Sequence, residues 1–135
     1  MKIVQFAFSH GPDNPFLPHN HPRNCIAYTG THDNDTIRGW YEKSSNDHER
    51  SFARNYLHSD GKDIAWDIIR FTWLSPAHTA ITTVQDILNL NTDARMNTPS
   101  TVSPLNWSWR LDMSLLTEEV GRKLLDFTAL YGRKK

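Results

Sequence analysis

At 135 residues the chain is long enough for one compact domain with its own core. Its 38% hydrophobic and 22% charged content excludes an intrinsically disordered chain and fits an ordinary water-soluble one. Fifteen Lys and Arg balance fifteen Asp and Glu, so no bulk attraction to nucleic acid or an anionic membrane is expected, and no apolar stretch approaches the ~20 residues of a membrane span.

Residues 2–8 form a short apolar run that predicts a buried strand; its start, Met1-Lys2-Ile3-Val4, lacks the apolar core of a signal peptide. Residues 9–25 carry four prolines and no period, which predicts a long irregular loop. Cys25, the only cysteine, opens a second strand candidate through Thr29. It can form no internal disulfide and suits a small packed hydrophobe in a reducing, cytoplasmic compartment. Gly30 closes that strand. The polar run Thr31-His32-Asp33-Asn34-Asp35-Thr36 then leads into a helical pattern through Trp40.

A helix is predicted from Asn46 to Leu57, opened by an Asn46/Glu49 capping box, with Phe52, Ala53, Tyr56 and Leu57 on one face. Asp60-Gly61 punctuates. The next helix carries Ile64, Ile68 and Phe71 on one stripe and stops before Pro76, with Trp66 and Trp73 more readily core than sugar-binding. Residues 80–84 are the third strand candidate and residues 85–90 a short helix. Residues 93–111 have no period. The last helix is capped by Thr117, has Val120, Leu124, Phe127 and Tyr131 as its apolar stripe, and ends at Gly132; the basic tail 133–135 reads as solvated. This rhythm of strands and helices is that of a parallel α/β fold.

Residues 31–35 follow a strand and precede a helix, which is where ligands bind in parallel α/β proteins. A carboxylate there accepts hydrogen bonds from sugar hydroxyls, and a neighbouring imidazole donates one. The competing role for Asp33, Asn34 or Asp35 is to cap the next helix. Among the histidines, His10, His19 and His21 share one loop, and a metal-dependent hydrolase using His32 and Asp33 is the alternative they raise; His48, His58 and His78 do not complete such a site. Trp107 and Trp109 lie in an irregular segment, and Trp107 is taken as the substrate-stacking surface. Phe6 and Phe8 either line the ligand path or pack.

Tyr28-Thr29-Gly30-Thr31-His32-Asp33-Asn34-Asp35-Thr36, followed by Gly39-Trp40, resembles a signature of the 4-α-glucanotransferases of glycoside hydrolase family 77, the amylomaltases or disproportionating enzymes. Phe16-Leu17-Pro18-His19-Asn20, Gln85-Asp86-Ile87-Leu88-Asn89-Leu90, Ala94-Arg95-Met96-Asn97-Thr98-Pro99 and Asn106-Trp107-x-Trp109-Arg110 are similar to further family stretches, in the family's order. The resemblance implies a (β/α)8 TIM barrel, of which residues 1–135 are a C-terminal segment incomplete on its own. It implies a retaining transferase acting on α-1,4-glucans and maltooligosaccharides, with no cofactor and no metal. Asp33 is then the third catalytic carboxylate, and His32 and Asn97 bind the substrate sugar. The nucleophile and acid/base belong to motifs upstream, so the isolated chain needs that barrel half and is expected to be inactive alone; a glucan-binding fragment without turnover is the alternative. Met1 is compatible with an internal methionine read as a start. Two features depart from the family pattern: Ser100 replaces a usual glycine, and 102–105 is a longer connection.

Overall fold

The computed structural model describes residues 1–134. Three short strands, β1 (Lys2–Ile3), β2 (Ile26–Tyr28) and β3 (Thr79–Ile81), form a parallel sheet in the order β1-β2-β3. The register sets Ile3 against Tyr28 and Tyr28 against Ile81. The crossover from β1 to β2 is the irregular loop expected over residues 9–25, containing one 3₁₀ turn, Pro18–Asn20. The crossover from β2 to β3 carries helices α1 (Ile37–Gly39), α2 (Asp47–Leu57) and α3 (Ile64–Leu74). After β3 follow α4 (Val84–Ile87) and α5 (Glu118–Leu130).

The first strand is much shorter than its apolar run. Beyond Ile3 the chain winds into a 3₁₀ helix, Val4–Phe8, which buries Val4, Ala7 and Phe8 and turns Phe6 outward. A continuous apolar run is equally compatible with a strand buried on both faces or a buried helical turn, so periodicity does not separate them. The third strand likewise ends at Ile81, because the Thr83 hydroxyl accepts from the Asp86 N–H and starts α4 with Val84 already helical. After α1 the backbone widens into a π-helical turn, Trp40–Ser44, closed by the Ser45 N–H on the Trp40 carbonyl at 2.8 Å.

Helix α2 follows its sequence closely. Asn46 Oδ1 accepts from the Glu49 N–H and Glu49 Oε2 accepts from the Asn46 N–H, both at 2.9 Å, so the capping box is complete. Ala53 and Leu57 are buried and Phe52 and Tyr56 half-buried, in a core with Phe8, Leu17, Ile37, Trp40 and Ile68. Trp66, Ile69 and Trp73 of α3 form a second cluster, against which Leu124 and Phe127 of α5 and Tyr131 at its C-cap pack while staying half-exposed. The stripe expected on α5 exists, but one contact face leaves it half-covered.

At two further places the chain departs from expectation. Cys25 is half-buried rather than fully packed. The tail is not simply solvated: the Arg133 guanidinium donates to the carbonyls of Trp73 (2.9 Å), Ser75 (2.7 Å) and Ala77 (2.5 Å), closing acceptors at the end of α3 and in the turn that follows it. Lys135 lies outside the described residues. Among the described residues no helix is long and apolar enough to cross a membrane.

Candidate active site

A cleft of about 900 Å³ opens at the C-terminal ends of the strands, lined by Phe6, Tyr28, residues 30–35 of the polar motif, Ile81 and Arg95. Beneath the lining of this cleft lies a buried polar floor. Asp86 of α4 is 2% exposed, and its carboxylate accepts from the Thr29 hydroxyl (2.7 Å) and the Ile37 N–H (2.8 Å). One side chain thus joins the end of β2 to the start of α1. Burial pushes the Asp86 carboxyl above the usual carboxylate range, against the lowering effect of these hydrogen bonds. Asp35 is also buried: Oδ1 accepts from the Thr36 N–H (2.8 Å), Oδ2 accepts from the Thr92 hydroxyl (3.0 Å), and its carbonyl accepts from Gln5 Nε2 (2.8 Å). Gly39 is required beside it, since a Cβ there would lie 2.6 Å from Asp35 Oδ1 and 2.5 Å from Thr92 Oγ1.

Capping is done by neither Asp33 nor Asn34 nor Asp35. Thr36 caps α1, its hydroxyl accepting from the Gly39 N–H at 3.0 Å. Asn34 folds the motif on itself, with Oδ1 accepting from the Thr31 N–H and hydroxyl at 2.9 and 2.8 Å. That leaves Asp33 half-exposed at the cleft, where it takes contacts from a segment more than sixty residues away. Asn97 Nδ2 donates to Asp33 Oδ1 at 2.7 Å, and His32 Nε2 lies 3.4 Å from the same oxygen. The Asn97 N–H donates to the His32 carbonyl at 3.1 Å. Trp107, 52% exposed, sits with its ring centroid 5.1 Å from that of His32. The four residues selected from sequence, Asp33, His32, Asn97 and Trp107, therefore stand together.

The departures in the late loop have a local explanation. Ser100 has φ 61°, the left-handed region where glycine is unstrained. The longer connection bulges away: Asn106 Oδ1 accepts from the Thr98 N–H (3.1 Å) and Nδ2 donates to the Thr101 carbonyl (3.2 Å), closing the loop at its base. The Trp107 N–H then donates to the Met96 carbonyl at 2.6 Å, tying the far end of the connection to the residue before Asn97.

Of the remaining aromatics, Phe6 is 46% exposed at the cleft, while Phe8, Trp66 and Trp73 are core. The loop histidines are engaged elsewhere. His10 Nδ1 meets the Ser9 hydroxyl (2.7 Å), His19 Nδ1 meets the Tyr56 hydroxyl (2.9 Å), and His21 Nε2 donates to the Phe16 carbonyl (2.9 Å). Among the described residues no group of three or more His, Cys, Asp or Glu side chains could hold a metal ion. Glu42 pairs with Arg38 at 2.8 Å, Glu49 belongs to the capping box, and Glu118 and Glu119 occupy the first turn of α5. Sequence reasoning gives no role to Arg95, or to Asp35 and Asp86 as the floor; the Gln-Asp stretch is visible only as a motif, without the burial that explains it.

Residues 1–116 match the sequence profile of the family described as 4-alpha-glucanotransferase, glycoside hydrolase family 77. The chain belongs to that family. It is 47% identical to the 4-alpha-glucanotransferase of Clostridium butyricum, over 98% of this chain and 27% of that protein. It is also 47% identical to a chloroplastic/amyloplastic 4-alpha-glucanotransferase of Arabidopsis thaliana, over 98% of this chain and 23% of that one. Its fold superposes on an amylomaltase from Streptococcus agalactiae in complex with acarbose with a TM-score of 0.93 at 36% identity, covering all of this chain and 27% of the amylomaltase chain. The chain thus spans about a quarter of the length of the family members it matches.

Proposed function

We propose that this chain supplies the C-terminal part of a (β/α)8 barrel, residues 1–135 forming one segment that ends in α5. The whole barrel would transfer α-1,4-glucan segments between maltooligosaccharides in the cytoplasm by a retaining mechanism. The observation that carries this reading is the Asp33 carboxylate: half-exposed at the strand ends, anchored through Oδ1, and facing a cleft of about 900 Å³. In a retaining reaction, positive charge develops at the anomeric carbon and ring oxygen as the glycosidic bond breaks. A carboxylate fixed in advance of the reaction can grip hydroxyls of that glucose ring and stabilise the charge without reorganising. His32 and Asn97 bind the same sugar, and the exposed Trp107 face offers a stacking surface. The nucleophile and the acid/base come from the rest of the barrel, because Glu42, Glu49, Glu118 and Glu119 serve other contacts or other faces.

The test uses the 135-residue chain beside a chimera in which it replaces the matching quarter of the C. butyricum relative. Each is incubated with maltotriose. Glucose and longer maltooligosaccharides are expected from the chimera alone. Turnover by the isolated chain would place a nucleophile within it and overturn this reading; glucan binding without turnover in both would favour a binding module.

A further inference from the structure

Arg95 lies in the late loop, half-buried, at the edge of the cleft. Its Nη2 donates to the Asp33 carbonyl and its Nε to the Asn97 carbonyl, both at 2.8 Å. These two acceptors are 64 residues apart in sequence and belong to the two segments that make up the site. The Nε and Nη2 donors of a guanidinium are coplanar and fixed in spacing, so one side chain measures the separation of the two carbonyls. A lysine ammonium has no such fork and no fixed edge.

What surrounds Arg95 makes this bridge matter. The residue before it, Ala94, is buried, and its carbonyl accepts from the buried Gln85 Nε2 at 3.2 Å, so the base of the side chain is held. Behind the motif lies a cavity of about 170 Å³, lined by Thr31, His32, Asn34, Thr83, Arg95 and Met96 among others. Beside this cavity, hydrogen bonds tie the late loop to the motif. Those bonds are the Arg95 fork, the Asn97 N–H on the His32 carbonyl, and Asn97 Nδ2 on Asp33 Oδ1.

We propose that Arg95 is a positioning residue that acts through Asn97 and the Asp33 backbone to hold the Asp33 carboxylate in one orientation, an inference that rests on the role proposed above for Asp33. Without the fork, both carbonyls lose their charged donor and the late loop can draw back over the cavity. Asn97 Nδ2 then leaves Oδ1, and the carboxylate can rotate.

The experiment is steady-state kinetics of maltotriose disproportionation by the chimera carrying Arg95→Lys, Arg95→Ala, Asn97→Ala, or Arg95→Lys with Asn97→Ala. Arg95→Lys is expected to lower kcat on the order of 10- to 100-fold with KM within about threefold, since misplacing a catalytic group by an ångström has effects of that size. The double variant should be little worse than Asn97→Ala alone, because both changes act through Asp33. Methylguanidinium should restore part of kcat to Arg95→Ala, which a general folding defect would not allow. A raised KM at unchanged kcat would make Arg95 a glucan contact, and full additivity with Asn97→Ala would sever it from Asp33; either result overturns the inference while leaving the proposed function standing. A folded but inactive unsubstituted chimera overturns both.

Discussion

Asp33 and Asp35 are two residues apart in one motif and serve opposite ends. Asp35, with Asp86 beneath the same strand end, is buried and spends its oxygens on backbone amides and threonine hydroxyls of this chain. Asp33 is half-exposed, caps nothing, and is held by two side chains at one oxygen. A buried carboxylate with its acceptors filled holds a strand and a helix in register; an exposed one with an unfilled oxygen is free for a ligand. The division of labour in this site lies in burial, not residue type.

The buried half of that contrast is most vulnerable at Asp86. Asp86→Ala leaves the buried Ile37 N–H without its acceptor, at about 1–3 kcal/mol, and adds the cavity of the lost carboxylate, so the unfolding free energy should fall by roughly 2–4 kcal/mol. Asp86→Asn should cost far less. Its amide oxygen can still accept from Ile37, while its NH₂ donates to a Thr29 hydroxyl that turns its own hydrogen to Thr82 Oγ1, 3.1 Å away. Equal losses in the two variants would mean that the charge, not the hydrogen bonds, holds this floor.

Gly39→Ala probes the same point at Asp35. The added methyl would come 2.5 Å from Thr92 Oγ1 and 2.6 Å from Asp35 Oδ1, and overpacking of this kind costs about 1–3 kcal/mol. A melting temperature unchanged by this substitution would show that Asp35 and Thr92 can part freely. A smaller effect belongs to His21, whose imidazole burial holds below its ordinary value. The folded chain therefore resists protonating it. Its contribution is complete above the unfolded histidine value of about 6.5 and is lost as pH falls below that toward the lowered folded value. Unfolding free energy should drop over that window and flatten in His21→Gln. The smallest change runs the other way: Ser100→Gly removes a left-handed strain of about 1 kcal/mol and should raise stability by a fraction of that, glycine also loosening the unfolded chain.

Much of the site is legible in the sequence. Asn46 with Glu49 marks the start of α2 to the residue because both halves of a capping box lie within four positions. Asp33, His32, Asn97 and Trp107 are all visible through motif resemblance, and the fold brings them together. What stays hidden depends on distant contacts. The run 2–8 gives no sign that the chain leaves the sheet after Ile3, since a continuous apolar run carries no periodicity to separate strand from helix. Arg95 stands inside a recognised stretch and Arg133 in a basic tail, yet neither reveals its bonds, because a guanidinium that reaches carbonyls about 60 residues away carries no local signature. Ser100 stands out as a missing glycine, but only its φ of 61° supplies the reason.

The decisive experiment is Asp33→Asn in the chimera, with maltotriose turnover and melting temperature measured on the same preparation. Because the Asp33 carboxylate accepts from no backbone group among the described residues, the melting temperature should stay within about 2 °C of the parent, while turnover should fall on the order of 10²–10³-fold. Undiminished turnover, or a loss explained by a matching drop in melting temperature, would refute the assignment of Asp33 to the chemistry.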